Sequence, residues 1–199
     1  MKRLVVIATG NPGKVREFAK AFNLENFEFK TQRDVGFSEN VDENGRTFAE
    51  NARIKAVAVA KYLKSRKIVA TVIADDSGLE VNALGGAPGI HSARFAGSHG
   101  DSLANNEKLL RELKGISDRS ARFVTALCLI DENGSEHDVE GECRGKILEA
   151  SRGTEGFGYD PLFVPEGHER TFAEMSLEEK QSLSHRGHAI ENLKVANLL

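Results

Sequence analysis

The stretch LVVIATGNPGK, residues 4–14, decides the fold class. Residues 4–8 form a continuous apolar run, which is typical of a strand buried on both faces. Asn11 is a suitable N-cap residue, and Pro12 suits the first position of a helix. Apolar side chains then recur at helical spacing over residues 15–22. A buried strand that turns through a glycine into a helix indicates an α/β protein.

The same stretch looks like a phosphate-binding P-loop, but it departs from the ATPase motif at two positions. That motif requires G-x-x-x-x-G-K-[ST]. Aligning Gly13-Lys14 with it puts Ala8 in place of the first glycine and Val15 in place of the metal-binding hydroxyl. The ATPase interpretation therefore fails. The helix amides and Lys14 would still attract an anion, and the alternative is an ordinary capped turn with a solvated lysine.

Strand and helix patterns alternate along the rest of the chain. A capping box at residues 47–50 opens a long helix, and Glu132-Asn133-Gly134 is a strong hairpin signal. The pattern predicts strands at residues 27–31, 68–74, 122–131 and 138–150, with helices at about 47–65, 102–114, after 176 and from about 184. This organisation predicts one α/β domain, residues 1–199, on a mixed sheet.

Composition limits the class of protein. Lysine and arginine number 27 against 30 acidic residues, and this balance argues against general nucleic-acid binding. No apolar run approaches the length of a membrane span. The two cysteines, Cys128 and Cys143, have neither metal-ligand spacing nor the pattern of a disulfide framework. We therefore expect a cytoplasmic protein without a nucleic-acid or membrane partner.

Asp75 and Asp76 follow the second apolar run directly. Ligands of open α/β sheets bind at the carboxyl ends of the strands. Successive strand residues point to opposite faces, so the two carboxylates should have different roles. One could hold a metal or a water while the other caps the turn. The alternative is a simple Asp-Asp-Ser-Gly turn.

Lys55 is unusual because it lies on an apolar helix stripe with Phe48, Ala52 and Val59. It could extend along the edge of that stripe into solvent, or point into a polar groove beside bound phosphates. Glu43, just before the helix, could supply a second carboxylate. The alternative for Glu43 is a solvated acidic loop.

Two later segments carry groups suited to a nucleoside. In GFGYDP, residues 156–161, glycines beside an aromatic ring allow close approach to a flat ligand, although a hydrophobic plug would look the same. SHRG, residues 184–187, places hydrogen-bonding groups at a predicted helix start, and its alternative is an N-cap with solvated side chains. His185 and His188 lack a familiar zinc spacing.

Seven motifs occur together in a recognisable order. They are Thr9-Gly10-Asn11-x-x-Lys14, Thr47-Phe48-x-x-Asn51-Ala52, Ala74-Asp75-Asp76-Ser77-Gly78-Leu79, Pro88-Gly89-x-x-Ser92-Ala93-Arg94-Phe95, Gly156-Phe157-Gly158-Tyr159-Asp160-Pro161, Thr171-Phe172-Ala173-Glu174-Met175 and Ser184-His185-Arg186-Gly187. This combination resembles the inosine triphosphate pyrophosphatase family, whose members remove non-standard purine triphosphates. The resemblance extends over nearly the whole chain.

The resemblance implies a fold, an activity and a set of site residues. The fold would be an elongated, two-lobed α/β domain on a mixed, twisted sheet flanked by helices, with a central substrate cleft. The activity would be Mg²⁺-dependent hydrolysis of ITP, dITP and XTP to monophosphate and pyrophosphate by a homodimer. Asp76 would be catalytic base and metal ligand, and Glu43 a second metal ligand. Substrate would be held by Thr9, Gly10, Asn11, Pro12, Gly13, Lys14, Lys55, Ser77, Phe157, Gly158, Tyr159, Asp160, Lys180, His185 and Arg186.

A consistent chemistry follows from these roles. Water would attack the α-phosphorus, a carboxylate would accept its proton, and Lys14 and Lys55 would stabilise the departing pyrophosphate. Lys180, Arg186 and a protonated His185 can only donate hydrogen bonds, which suits a 6-oxo purine better than adenine. Two alternatives stay open: a pyrophosphatase for modified pyrimidine triphosphates, and a nucleotide-binding module without turnover.

Overall fold

The first strand, β1 (Arg3–Ala8), occupies an interior position in a six-stranded sheet. The computed structural model describes residues 2–22 and 26–198. β1 pairs in parallel with β2 (Phe27–Thr31) on one side and β3 (Thr71–Val81) on the other. Residues 5–8 of β1 are buried, as the sequence predicts for a strand that is covered on both faces.

The remaining elements complete a mixed α/β sheet protein. The other strands are β4 (Ser120–Ile130), β5 (Glu136–Ile147) and β6 (Phe163–Pro165). The helices are α1 (Pro12–Ala21), α2 (Phe48–Ser65), α3 (Ser102–Glu112), α4 (Leu177–Leu183) and α5 (His185–Val195). The strand order is β2-β1-β3-β4-β5-β6, and β5 and β6 are antiparallel. The α/β class and the mixed sheet are therefore confirmed.

Both predicted boundaries of the third strand are wrong. The apolar run suggested a strand over residues 68–74 that stops before Asp75, whereas β3 begins at Thr71 and continues to Val81. The pairing of β3 with β1 extends as far as the register Ala8↔Ala74, but β3 also has β4 as a neighbour. A polar sequence can continue a strand when a second neighbour binds its backbone. The Asp-Asp-Ser-Gly turn is therefore excluded.

The helix starts agree with the predicted caps. The Asn11 side chain accepts hydrogen bonds from Gly13 N at 2.8 Å and Lys14 N at 3.3 Å. The Thr47 hydroxyl caps α2 by accepting from Glu50 N. The second bond of the predicted capping box, from Thr47 N to the Glu50 carboxylate, is replaced by a bond from Arg46 N to that carboxylate. The Asn11 and Thr47 caps join residues within three positions of one another, so local sequence is sufficient to predict them.

The chain divides into two compact units, each with its own core. The first unit comprises Met1–Asp76, Ala126–Glu140 and Ala189–Leu199, and the second comprises Ser77–Thr125 and Gly141–His188. In the first, Phe18 and Ile73 pack with Leu127 and Leu193. In the second, the core contains Leu79, Leu109, Phe123, Tyr159 and Phe172 among its members. Over residues 2–22 and 26–198, no helix is both long and apolar enough to cross a membrane.

Candidate active site

The turn after β1 is held by its own side chains. The Thr9 hydroxyl accepts from Asn11 N at 3.1 Å, and Asn11 Oδ1 accepts from the amides of Gly13 and Lys14. The predicted strand–turn–helix is therefore present. A phosphate that used the Gly13 and Lys14 amides would have to share or replace the Asn11 cap.

Lys14 and Asp75 form an ion pair at the start of the polar part of β3. Lys14 Nζ contacts the Asp75 carboxylate and lies 3.4 Å from the Asp75 main-chain oxygen. The Asp75 side chain is fully buried, and a buried carboxylate needs such a partner. The alternative of a solvated lysine at position 14 is therefore wrong, and Asp75 is an ion-pair partner rather than a turn cap.

Asp76, the next residue, belongs to a different set of contacts in the first unit. Lys55 Nζ lies 3.0 Å from Asp76 Oδ1 and 2.8 Å from Glu43 Oε2. Asn51 Nδ2 donates to Asp76 Oδ2 at 3.2 Å, and Asn51 Oδ1 accepts from Gly45 N at 2.9 Å. We call Glu43, Asn51, Lys55 and Asp76 the carboxylate–lysine cluster. Lys55 therefore faces carboxylates rather than solvent, and Glu43 is not a solvated loop residue.

Burial and charge act against each other in this cluster. Burial raises the pKa of the Asp76 carboxyl above its ordinary value, although Lys55 and Lys14 both oppose this shift. Burial alone would lower the pKa of Lys55, but Asp76 and Glu43 together hold it above its ordinary value. Lys55 is therefore charged, and Asp76 is a stronger proton acceptor than an exposed aspartate.

The cluster is chemically suited to a divalent cation. The carboxylates of Glu43 and Asp76 both approach one ammonium within 3.0 Å, so they converge on a single cation position. Carboxylate oxygens suit Mg²⁺, which commonly uses one or two carboxylates together with substrate phosphates. No group of three or more His, Cys, Asp or Glu side chains in the described ranges is arranged to hold a metal. A complete all-protein cage is thus not present there, whereas a site completed by phosphates fits these residues.

In the second unit, Asp160 organises the glycine-rich loop. Its Oδ2 accepts from Phe157 N at 2.8 Å and from Lys180 Nζ at 2.6 Å. Lys180 Nζ also lies 4.6 Å from the centroid of the Phe157 ring. Gly156 has φ +75°, and a Cβ there would lie 2.1 Å from Asp160 Oδ2, so this position requires glycine.

The residues at the start of α5 are buried in the second unit. Arg186 Nη2 donates to Ser77 Oγ at 2.8 Å, and its Cζ lies 5.9 Å from the Phe157 centroid. His185 stacks on Phe123 with centroids 4.6 Å apart and planes at 11°. His185 is 4% exposed and Arg186 is 1% exposed, so the alternative with solvated side chains is wrong.

Tyr159 differs from Phe157 although both belong to the same loop. Phe157 is half-buried, whereas Tyr159 lies in the core of the second unit. The Tyr159 hydroxyl donates to the Ser92 main-chain oxygen at 2.9 Å, and Asn106 Nδ2 donates to Gly158 O at 3.0 Å. Tyr159 therefore fills the hydrophobic core beneath the loop, as the alternative interpretation of this segment predicts. Its assignment to substrate binding stays a prediction.

The predicted site residues thus form two groups. The first unit brings Glu43 and Lys55 to Asp76, and Lys14 to Asp75. The second unit brings together Ser77, Phe157, Asp160, Lys180 and Arg186. Sequence reasoning assigned no role to Asn51, Ser92 or Asn106. The first two lie in the motifs that carry the resemblance, and that position was the available signal.

Comparison with known proteins identifies the family. The sequence model of the Ham1 family matches residues 5–196. The chain belongs to the Ham1 family. This result confirms the resemblance that the motifs suggested.

Curated relatives match over nearly their full length. A protein of Clostridium perfringens, named dITP/XTP pyrophosphatase, is 46% identical over 197 residues, covering 98% of this chain and 96% of the relative. A Bacillus subtilis protein of the same name is 46% identical over 190 residues, covering 94% and 93%. Nearly the whole of the chain therefore aligns with these relatives.

Solved Ham1 structures have the same fold. The Ham1 protein of Staphylococcus aureus superimposes with a TM-score of 0.84 at 40% identity, covering 97% of each chain. A HAM1 protein from Coxiella burnetii gives a TM-score of 0.86 at 36% identity, covering 98% of each chain. The α/β architecture described above is therefore that of the family.

Proposed function

We propose that this chain hydrolyses non-standard purine nucleoside triphosphates, namely dITP, XTP and ITP, to the monophosphate and pyrophosphate. The names of the Clostridium and Bacillus relatives support this substrate class. The single structural observation that carries the proposal is the convergence of Glu43, Asp76 and Lys55. Two carboxylates and a lysine at one position suit the binding and cleavage of a phosphoric anhydride.

Asp76 is the proposed general base. Its carboxylate would accept the proton of the water that attacks the α-phosphorus. Burial raises its pKa, which brings its proton affinity closer to what a base needs near neutral pH. Asn51 and Lys55 each hold one carboxylate oxygen, and these contacts fix the orientation of the group.

Glu43 and Asp76 are the proposed ligands of a divalent cation, which we take to be Mg²⁺. When bound, this cation supplies positive charge that neutralises phosphate oxygens and favours the leaving pyrophosphate. Lys14 and Lys55 would add charge to the same phosphates. Residues 9–13 would bind phosphate through the turn after β1, at the start of α1.

The second group of residues is proposed to bind the purine. The half-buried Phe157 ring would stack on the base. Lys180, Arg186 and a protonated His185 donate hydrogen bonds, which match the 6-oxo group of hypoxanthine and xanthine. The 6-amino group of adenine offers these donors no acceptor, a mismatch that can discriminate by about 10⁴-fold. Ser77, Gly158 and Asp160 complete the proposed base site, and Tyr159 belongs to the loop that carries it.

We also propose that residues 1–199 act as one domain, as a homodimer in the cytoplasm, with no nucleic-acid or membrane partner. The match of the family model to residues 5–196 supports the single domain. The net charge of −3 supports the absence of a general nucleic-acid partner.

A pyrophosphate-release assay tests the proposal. With Mg²⁺, dITP and XTP should yield monophosphate and pyrophosphate, while ATP and modified pyrimidine triphosphates should react far more slowly. Release of phosphate in place of pyrophosphate would show that the assigned point of attack is wrong. Preference for a modified pyrimidine triphosphate would favour the alternative pyrophosphatase. Binding of dITP without product would make the chain a nucleotide-binding module.

A further inference from the structure

Ser92 links two segments of the second unit through its side chain and its backbone. It lies in a short 3₁₀ helix, Gly89–Arg94, and is 7% exposed. Its hydroxyl accepts from Leu79 N at 2.9 Å and donates to Gly89 O at 2.6 Å. Its main-chain oxygen accepts from the Tyr159 hydroxyl at 2.9 Å. One residue therefore connects β3 to the glycine-rich loop.

Two of the three partners of Ser92, Leu79 and Tyr159, each lie two residues from a proposed substrate contact. Leu79 lies two residues after Ser77, whose hydroxyl accepts a hydrogen bond from Arg186. Tyr159 lies two residues after Phe157, whose half-buried ring is near Lys180 and Arg186. A displacement of Leu79 or Tyr159 would therefore shift Ser77 or Phe157, because only two peptide bonds separate the residues of each pair.

Helix α3 holds the Ser92 segment and the glycine-rich loop. Asn105 Oδ1 accepts from Ala96 N at 2.7 Å and Asn105 Nδ2 donates to Ala93 O at 3.3 Å, next to Ser92. The adjacent Asn106 donates to Gly158 O at 3.0 Å. Two neighbouring buried side chains on one helix thus fix the Ser92 segment and the Tyr159 loop. The Ser92–Tyr159 bond closes this arrangement.

We propose that Ser92 and Tyr159 are a positioning pair for the base site, which hold the Phe157 loop in register with Ser77 and Arg186. The inference rests on the proposed binding of a purine by that loop. It assigns Tyr159 a role through the loop rather than a contact with substrate. The Tyr159 ring is buried in the core, and a buried phenol requires a hydrogen-bond partner, which the Ser92 carbonyl provides.

Tyr159→Phe removes the hydroxyl and keeps the ring. We expect KM for dITP to rise about five- to tenfold, because loss of one buried hydrogen bond has an effect of that size. The kcat should change by less than about threefold, since the carboxylate–lysine cluster is untouched. The preference for dITP over dATP should fall, because the donors of the base site lose their register. Ser92→Ala should give the same pattern.

The two tyrosines of the chain provide a matched control. Tyr62, on α2, also donates its hydroxyl to a main-chain carbonyl, that of Val35 at 3.3 Å. Tyr62→Phe therefore makes the same chemical change in the first unit. KM and the dITP:dATP ratio should stay as in the wild type. Equal changes in both variants would overturn the inference, because they would indicate a general effect of losing a hydroxyl.

Two further measurements separate this inference from the proposed activity. Amide hydrogen exchange should become faster at Leu79 in Ser92→Ala and at residues 156–160 in Tyr159→Phe, and this readout needs no turnover. The double variant should show less than the sum of the single effects on KM. If the wild type releases no pyrophosphate from dITP, the proposed function fails. If it is active but Tyr159→Phe and Ser92→Ala keep its KM, selectivity and exchange rates, the positioning pair is wrong.

Discussion

Lys55 lies between two carboxylates, with its ammonium 3.0 Å from Asp76 and 2.8 Å from Glu43. The Lys55 side chain is 14% exposed, so this charge is largely removed from water. An ammonium at this position compensates the two acids in the ligand-free protein. A divalent cation that binds both carboxylates must displace the ammonium or share their oxygens with it.

Lys55→Met should therefore separate metal binding from turnover. Without the competing ammonium, Mn²⁺ should bind the substrate-free protein more tightly, by on the order of tenfold. Pyrophosphate release should nevertheless fall by about 10²-fold or more, because a charge that stabilises the departing group is lost. Calorimetric or paramagnetic titration with Mn²⁺ measures the first effect. Lys61→Met, at an exposed position of the same helix, is the control. Weaker Mn²⁺ binding by Lys55→Met would contradict this account.

Asp76→Asn should nearly abolish activity, and its effect on stability should depend on pH. General-base catalysis contributes about 10²- to 10⁴-fold, so a loss of this size is expected in kcat. Burial raises the pKa of Asp76 in the folded state, and an acid with a raised pKa opposes folding once it ionises. The free energy of unfolding of Asp76→Asn relative to the wild type should therefore increase as pH rises through that pKa. Urea unfolding between pH 4 and 8 measures this difference.

Asp75→Asn should have the opposite effect on stability. Asp75 is fully buried and ion-paired with Lys14, so its removal leaves a largely buried ammonium without that carboxylate. Breaking a buried pair in this way typically costs about 3–5 kcal/mol of unfolding free energy. The two adjacent variants control for each other, because both change one aspartate of β3 to asparagine. Equal stabilities would show that the two carboxylates do not have the different roles seen here.

Lys180→Met should reduce base selectivity. Lys180 donates to Asp160 and lies over the Phe157 ring, so its loss removes a donor and loosens the loop. The ratio of kcat/KM for dITP to that for dATP should fall by about tenfold or more. Lys114→Met, at an exposed position after α3, should leave the ratio unchanged. An unaltered ratio in Lys180→Met would remove Lys180 from base recognition.

Glu179→Gln should lower stability in a pH-dependent way. The Arg170 guanidinium and the amide and hydroxyl of Ser176 lower the pKa of the Glu179 carboxyl to about 2. The contribution of Glu179 to the free energy of unfolding is therefore fully present above its pKa in the unfolded chain, about 4.3, and is lost as pH falls toward 2. The variant should have a lower melting temperature than the wild type at pH 7, and the gap should close near pH 2. Glu107→Gln, on the exposed side of α3, should show no such change.

The sequence determined the features that depend on near neighbours in the chain. Asn11 caps α1 through amides two and three residues away, and the Ser176–Glu179 capping box spans three residues. The hairpin between β4 and β5 likewise closes through Asp131 and Ser135. In each case the interacting groups are brought together by the helix or turn itself, so the pattern of residues is sufficient.

The tertiary structure decided which partner each buried charged or polar group binds. Lys14 and Asp75 are 61 positions apart, Lys55 and Asp76 are 21 apart, and Ser92 and Tyr159 are 67 apart. The sequence predicted different roles for the two adjacent aspartates, but it did not predict which lysine each would bind, nor that β3 continues through them. That distinction arises because neighbouring strands bind the β3 backbone and because helices α1 and α2 bring one lysine to each carboxylate. A buried charge requires a partner, but only the packing of distant segments selects that partner.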